Sequence, residues 1–342
     1  MEAKRVWIID EGSQGHVVQS RGLVRELRHS VPLEVTEFRC RFSVKHRWLR
    51  SLAKKSLRWF PSMALLKTTH ELSGIPEGKP DLILSSGPNS LLALAYFSKL
   101  HGCPSVFVQG TIRVPENTVT CIMRPDEGET RADYIFIPLL FNEITPELLE
   151  ATRVQLGLPS RSEDATPPCK ALFVGESSGK IQFSRNDWEM LAEFVNRSWR
   201  ADGIQWLIST SYRTSEAVEE LLRQTIEPAA IRDVVWYSKA PRKITRVFLS
   251  TASSVYVTMD SLTMMTEAVS SGLPVWVIRP ADFSFDPGNT HHRYISGLHE
   301  AGLIALFEPG NGEPEQAAGQ SRAALDYSDA VTRLLGRIGW RP

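Results

Sequence analysis

The 342-residue sequence has no apolar run near the roughly 18 residues that a membrane-spanning helix needs; its longest candidates, Leu82–Leu84 and Leu91–Phe97, are far shorter. It has no excess of either charge, since 39 Lys and Arg balance 39 Asp and Glu. A dedicated nucleic-acid binder would show a basic surplus, so no nucleic-acid partner is expected. Cysteine is scarce: Cys40, Cys103, Cys121 and Cys169 lie far apart with no C-x-x-C pair. A disulfide framework and a zinc site of that type are excluded, and free buried thiols are expected. No Asp-x-Asp occurs, and no G-x-G-x-x-G. No short-period repeat appears, which excludes solenoids and propellers. The N-terminus reads as a strand, Met1-Glu-Ala-Lys-Arg-Val-Trp-Ile-Ile-Asp10, rather than a signal peptide. A cytoplasmic chain is the expectation.

What is present is an ordinary globular composition, 42% hydrophobic and 23% charged, on a chain long enough for about two domains. Short β-branched or apolar runs alternate with segments of helical period. Strands are expected at Val6–Ile9, Leu33–Phe38, Asp81–Ser85, Ser105–Val108 and Tyr134–Ile137, with helices at Val17–Leu27 and Ser90–Leu100. A Pro- and Ser-rich stretch from Leu156 to Pro168 interrupts the rhythm. It then restarts with strands at Ala171–Val174, Gln205–Ser209, Val234–Tyr237, Val255–Thr258 and Pro274–Ile278. Helices intervene at Asp187–Arg200, Thr214–Arg223, Ile244–Leu249, Ser261–Ser270 and Thr290–Ala301, and Tyr327–Ile338 closes the chain. This βαβ rhythm predicts an α/β fold of two doubly wound domains, residues 1–156 and 170–325, facing a cleft. A last helix, 326–342, is free to cross back to the first domain. Ligands of such sheets bind beyond the carboxyl ends of the strands.

Candidate site residues follow from those strand ends. Asp10-Glu-Gly-Ser-Gln-Gly-His16 joins the first strand to the first helix. Gly12 and Gly15 permit a tight turn and close backbone approach, and a helix N-terminus favours an anion. His16 is the candidate general base, with Glu11, Asp126 and Glu143 as rivals. Gly12, Ser13, Gln14, Gly15, Gln19, Gln109 and Arg113 are assigned to the acceptor side. In the second half, Asp260-Ser261 opens a helix as its N-cap. Ser261, Thr263 and the free N–H groups form a phosphate cradle there, with Met264 beside them. Glu267, further along the helix, is placed to accept from ribose hydroxyls. Gly175-Glu-Ser-Ser-Gly179 contributes Gly175, Ser177 and Ser178, and Ser209-Thr-Ser-Tyr-Arg213 contributes Thr210, Ser211 and Arg213. Arg293 follows His291-His292 at the entry to a later helix. No carboxylate at ligand spacing accompanies that His pair, so no metal is assigned.

Arg39–Lys67 differs in kind. It holds nine cations, Arg39, Arg41, Lys45, Arg47, Arg50, Lys54, Lys55, Arg58 and Lys67, and no Asp or Glu. Trp48, Trp59 and other apolar residues recur at helical spacing. This predicts an amphipathic helix or helical hairpin edge over Val44–Phe60 that docks on an anionic membrane through Arg47, Trp48, Arg50, Lys54, Lys55, Arg58 and Trp59.

The segment Val257–Val277, with its S-x-x-M-x-x-E-A-x-x-x-G-x-P-V pattern, resembles the nucleotide-sugar helix of GT-B glycosyltransferases. Taken with D-x-G-x-x-G-H-x-x-Q-x-x-G-L from Asp10, D-L-I-L-S-S-G from Asp81, V-Q-x-x-x-R from Val108, L-F-V-G-E-S-S from Leu172, S-T-S-Y-R-T from Ser209 and His292–Leu303, the ordered set resembles the "elongated mitochondria" fission-factor family and its bacterial relatives. Where that family usually has paired glycines this chain has Gly175-Glu176; where it has Arg-Arg this chain has Tyr212-Arg213; and where it has Pro-Glu-His-Asp this chain has Arg124-Pro-Asp-Glu127. The resemblance implies a GT-B-like fold and a glycosyltransferase, with a nucleotide-sugar as co-substrate and no other cofactor. The expected acceptor is a lipid-linked envelope glycolipid such as lipopolysaccharide core. The chemistry is expected to be inverting and metal-independent, on the cytoplasmic face of the inner membrane. A non-catalytic membrane adaptor and a nucleotide-sugar epimerase are the alternatives.

Overall fold

In the computed structural model, residues 2–43, 52, 62–108, 115–125, 131–161, 168–176, 181–311 and 325–341 are described. They divide into two compact units. The first comprises Met1–Glu143 with Asp326–Pro342, and the second comprises Ile144–Leu325.

The first unit is built on a seven-stranded sheet in the order β3-β2-β1-β4-β5-β6-β7. Its strands are β1 (Lys4–Asp10), β2 (Leu33–Phe42), β3 (His70–Ser73), β4 (Leu82–Ser86), β5 (Ser105–Val108), β6 (Cys121–Arg124) and β7 (Tyr134–Phe136). All pairings are parallel except the edge pair β2–β3. Val6, Ile8, Leu82 and Leu84 are fully buried, as strands covered on both faces require. Helix α1 (Gln14–Arg28) follows β1, α2 (Met63–Thr69) precedes β3, and α3 (Leu91–His101) follows β4. The α1 face carrying Leu23, Val24 and Leu27 is buried. Gly22 lies on α1 where a Cβ would meet the Asn142 backbone nitrogen at 2.5 Å. Only a glycine lets the helix approach that strand-exit segment. The C-terminal helix Ser328–Ile338 belongs to this unit, and Tyr327 stacks on Phe141 with ring centroids 4.7 Å apart.

The second unit carries a six-stranded, all-parallel sheet in the order β10-β9-β8-β11-β12-β13. It begins with helix α4 (Pro146–Gln155), which Thr145 caps and Pro146 starts. The strands are β8 (Cys169–Val174), β9 (Gln205–Thr210), β10 (Ile231–Val235), β11 (Ser254–Thr258), β12 (Val275–Ile278) and β13 (Ala305–Phe307). Between them run α5 (Arg185–Asp202), α6 (Glu216–Thr225), α7 (Thr245–Thr251), α8 (Leu262–Ser270) and α9 (Thr290–Glu300). Ser184 and Asp187 form a reciprocal capping box on α5. An aromatic core joins Trp206, Phe194, Tyr256 and Phe307, and Trp276 stacks on Tyr256 at 5.0 Å.

One expectation needs correction. The first unit ends at Glu143 rather than residue 156, because α4 packs against α7 in the second unit. Arg153 Nη1 and Arg161 Nη2 both donate to the Ser250 carbonyl near the end of α7, at 2.7 and 3.0 Å. These bonds and others to Leu249 and Ala252 cap an electron-rich helix end. β2 runs past its expected end at Phe38, through Arg39 and Arg41 to Phe42, while the helix expected over Val44–Phe60 lies, apart from Leu52, outside the described residues. Gln19, expected to face an acceptor, is buried and its Nε2 donates to the Gly15 carbonyl one helical turn back. All four cysteines are free and buried.

Candidate functional site

In each unit the strand order reverses once, between β1 and β4 in the first and between β8 and β11 in the second. Loops leaving neighbouring strands part in opposite directions there and open a crevice at the carboxyl ends. Of the sequence-assigned residues, Gly12 to Gln19, Gly175 and Asp260 to Glu267 follow strands at these reversal points, whereas Thr210, Ser211 and Arg213 lie at the end of β9 and Arg293 lies on α9.

In the first unit, His16 sits in the opening turn of α1, and its Nδ1 lies 2.6 Å from Glu11 Oε1. The other oxygen of Glu11 accepts from the backbone N–H groups of Asn89 and Ser90, at 2.8 and 3.0 Å. The carboxylate therefore caps the entry to α3 and holds the imidazole at the same time. Glu11 is 4% exposed and His16 28%, so the carboxylate supports from below while the ring reaches solvent. With Nδ1 engaged, Nε2 is the nitrogen left for chemistry. Gly87 makes room for the pair: its φ is +95°, and a Cβ would lie 2.3 Å from Glu11 Oε1 and 2.4 Å from His16 Nδ1. Gly12, at φ +93°, closes the turn with its N–H on Asp10 Oδ1, 2.7 Å away. Ser13 is the N-cap residue of α1 and makes no side-chain cap bond, and Gln14 opens the helix. Ser86 Oγ donates to the His16 carbonyl at 2.6 Å.

In the second unit, Asp260 is turned inward and 1% exposed. Its Oδ1 accepts from Thr258 Oγ1 at 2.7 Å and its Oδ2 from Arg213 Nη2 at 3.0 Å. Burial pushes its carboxyl above the ordinary aspartate value, against the opposing pull of the Thr258 hydroxyl and Arg213. Thr258 Oγ1 in turn accepts from the Gly175 N–H at 2.7 Å. A Cβ on Gly175 would fall 2.0 Å from Asp260 Oδ2. Asp260 is thus a brace for the loops rather than a surface contact. Thr214 Oγ1, 3.0 Å from the carbonyls of both Val174 and Gly175, also accepts from the Ser211 N–H at 3.0 Å. Ser261 caps α8, accepting from the Met264 N–H at 3.4 Å. Thr263, Met264 and Glu267 are half-buried along that helix. Arg293 donates to the Pro287 carbonyl at 2.7 Å and contacts Thr290 Oγ1 at 3.4 Å, against its own helix entry.

Ser177, Ser178, Gln109 and Arg113 lie outside the described residues, as does the rival base Asp126. So do the membrane-patch residues Arg47, Trp48, Arg50, Lys54, Lys55, Arg58 and Trp59. Among the described residues no three His, Cys, Asp or Glu side chains gather as a metal-binding group. Sequence reasoning passed over Thr258 and Thr214, and weighed His291 only as one half of a metal-binding pair. The first two are hydroxyls at strand or loop ends, a signal too common to single out. His291 Nε2 donates to the Met259 carbonyl at 3.1 Å. Burial is the leading cause that lowers its pKa to about 4.

The unfolded chain therefore protonates His291 first, near its ordinary value of 6.5. Its contribution to stability is complete above that value and is lost as pH falls toward about 4, an effect on the order of 3 kcal/mol. Urea unfolding of His291→Gln is expected to show a flatter pH dependence across that window. A profile identical to the wild type would remove the assignment.

The mitochondrial fission ELM1 family model matches residues 14–337. The chain belongs to that family. One curated relative, the protein RP120 of Rickettsia prowazekii (strain Madrid E), is 24% identical over 144 residues, 40% of this chain and 38% of that protein. The matched part is thus about two fifths of the relative's length. Among solved structures, UDP-GlcNAc 2-epimerase from Neisseria meningitidis bound to UDP-GlcNAc superposes with a TM-score of 0.54. It is 11% identical, with 97% of this chain and 98% of that one covered. UDP-GlcNAc 2-epimerase from Methanocaldococcus jannaschii gives 0.52 at 13% identity, covering 97% and 99%. At such identities the likeness is one of fold. The family member has a GT-B-like fold, with a mostly parallel and then an all-parallel α/β sheet in chain order.

Proposed function

We propose that the protein is a glycosyltransferase that takes a sugar from a nucleotide-sugar and passes it to a lipid-linked acceptor. The observation that carries the reading is the brace at the second reversal point. There Gly175, Thr258, Asp260 and Arg213 hold the loops beside the α8 N-terminus. In this reading the α8 N–H groups and Arg213 bind the donor diphosphate, and Glu267 binds ribose. His16 Nε2 removes the proton of the acceptor hydroxyl, and Glu11 orients the ring. The acceptor oxygen bonds to the anomeric carbon as the bond to the diphosphate breaks, and the diphosphate leaves with that electron pair. Helix dipole and guanidinium stabilise the charge that develops, the role a divalent ion plays elsewhere. Inversion follows from this single displacement.

A thermal-shift screen of UDP-, GDP-, ADP-, dTDP- and CMP-sugars tests the reading. A ligand at 100 times its Kd adds about 2.7 kcal/mol of stability. Glu267→Ala is expected to weaken the bound nucleotide-sugar by more than about 1.5 kcal/mol, the scale of a charge-assisted hydrogen bond. No shift from any of the five, or full affinity in the variant, would overturn the donor assignment. The likeness to UDP-GlcNAc 2-epimerases supports a second reading, nucleotide-sugar epimerisation. Incubation with UDP-GlcNAc in heavy water, without acceptor, separates the two, since only an epimerase exchanges the proton at sugar C2.

The lipid-linked acceptor rests on the sequence of Arg39–Lys67, which holds nine cations and no Asp or Glu, although Arg39 lies 3.9 Å from Asp10 of β1. Each Lys or Arg near an anionic bilayer contributes about 1 kcal/mol. Peripheral association with the inner leaflet is the expected behaviour. Co-sedimentation with phosphatidylglycerol vesicles that weakens in salt, with little binding to phosphatidylcholine, is the expected result. Equal, negligible binding to both would point to a soluble acceptor.

A further inference from the structure

We propose that Tyr212 and Tyr237 form a stacking platform for the base of a nucleoside diphosphate bound to the second unit. The inference rests on the reading of that unit as the donor-nucleotide unit and assigns the part that recognises the base. Both tyrosines leave the carboxyl ends of adjacent parallel strands, Tyr212 just beyond β9 and Tyr237 just beyond β10. Tyr212 is 71% exposed and Tyr237 42%. Their rings meet edge to face with centroids 6.5 Å apart and planes inclined at 64°. Two large aromatic faces are thus presented to water in a fixed mutual arrangement.

The turns beneath them are built for rigidity. Glu219 of α6 is 3% exposed. Its carboxylate accepts from Thr210 Oγ1, from Ser238 Oγ and from the Ser238 N–H. Thr210 Oγ1 accepts from the Tyr237 N–H at 2.8 Å. One buried carboxylate, through two hydroxyls, therefore fixes the exits of both strands. On the Tyr212 side, Ser211 and Thr214 close the turn through Thr214 Oγ1. A buried carboxylate satisfied by hydroxyl and amide donors is a costly device for holding two exposed rings. Its use here is pre-organisation: a ligand meets rings already in place and loses little side-chain freedom on binding.

The chemistry of the ligand follows from what adjoins the rings. The Arg213 guanidinium carbon lies 5.6 Å from the Tyr212 ring centroid, and Nη2 reaches Asp260 at the reversal point. Its Nε is buried and has no hydrogen-bond partner among the described residues. Asp260, Arg213, Tyr212 and Tyr237 so run in a row from the reversal point outward. A cation beside an open aromatic face suits a ligand with an anion at one end and a flat ring at the other. A nucleoside diphosphate has that form, whereas a free sugar lacks the anion. Stacking is tolerant of base identity, because every base has a π face.

Calorimetric titration of the full chain with UDP, ADP, GDP, inorganic pyrophosphate and N-acetylglucosamine tests the platform. In Tyr212→Ala and Tyr237→Ala, nucleoside diphosphate affinity is expected to fall about tenfold each, within the range for a base–aromatic stack. The double variant is expected to lose about 100-fold, pyrophosphate affinity to stay within about twofold, and Tyr→Phe to restore binding. Saturation-transfer NMR on the wild type should show base protons closer to the protein than ribose protons, a readout that needs no variant. Unchanged nucleoside diphosphate affinity in the double variant would overturn the platform. So would an equal fall for pyrophosphate, which would mean loosened turns, or selective loss of N-acetylglucosamine, which would make it a sugar-binding surface. If the wild type binds pyrophosphate and each nucleoside diphosphate equally, the platform fails while the diphosphate site stands. If it binds none of the probes, the donor-nucleotide reading fails as well.

Discussion

His16→Ala is expected to lower the rate of sugar transfer by about 100- to 10,000-fold, the range for a positioned general base. The geometry behind this is the 2.6 Å contact between His16 Nδ1 and Glu11 Oε1. It assigns the proton to Nδ1 and leaves the lone pair on Nε2. Because Glu11 also caps α3 through Asn89 and Ser90, the ring is tied to a second rigid element. Glu11→Gln preserves the size of the side chain but gives up the charge that favours the imidazolium. Its expected effect is a smaller loss, about 10- to 100-fold, concentrated in kcat, with KM for the nucleotide-sugar unchanged. Single-turnover rates on the nucleotide-sugar found by the thermal-shift screen would measure both. A loss under about tenfold in His16→Ala would pass the role to a rival such as Glu143, which lies 3.7 Å from Arg21 in the same unit.

The part of this dyad that the sequence displays is the histidine in a glycine turn. Glu11 is visible there only as one acidic residue among several rivals. Its significance comes from β4 lying beside β1, which brings the Gly87–Ser90 turn 76 to 79 positions along the chain against it. The same contrast runs through the fold. β1, β4, β8 and β11 are near-continuous apolar runs with no other reading available. β6, Cys-Ile-Met-Arg, ends in a fully buried arginine, and β3, His-Glu-Leu-Ser, is a polar antiparallel edge. Neither has the composition or alternation that marks a strand. The start of α4 was legible, since Thr145-Pro146 is a cap followed by an N1 proline. Its proximity to the Pro-rich joint hid it and displaced the unit boundary. In the basic segment, an excess of charge masked the strand alternation of Glu37-Phe-Arg-Cys-Arg-Phe42, in which Phe38 and Cys40 are buried.

Gly175→Ala is expected to lower the stability of the second unit by about 3 kcal/mol or more and to abolish tight nucleotide binding. A methyl group there would lie 2.0 Å from Oδ2 and 2.3 Å from Oδ1 of Asp260. The carboxylate has little freedom to retreat, because it is fully buried and held by Thr258 at 2.7 Å and Arg213 at 3.0 Å. Moving the backbone instead breaks the Gly175 N–H bond to Thr258. Overpacking alone costs roughly 1–3 kcal/mol. Separating a buried ion pair costs roughly 3–5 kcal/mol, an upper bound here because Arg213 is 29% exposed. Both routes disturb Arg213, the residue assigned to the diphosphate, so stability and affinity should fall together. Gly297→Ala supplies the control: that glycine is inside α9 with nothing within 4 Å of a built Cβ. It should gain up to about 1 kcal/mol from helix propensity. Urea unfolding and calorimetric titration of the three proteins decide the matter. A Gly175→Ala protein within about 1 kcal/mol of wild type, binding nucleotide normally, would show that Asp260 can leave its place without consequence. The brace would then have no part in building the donor site.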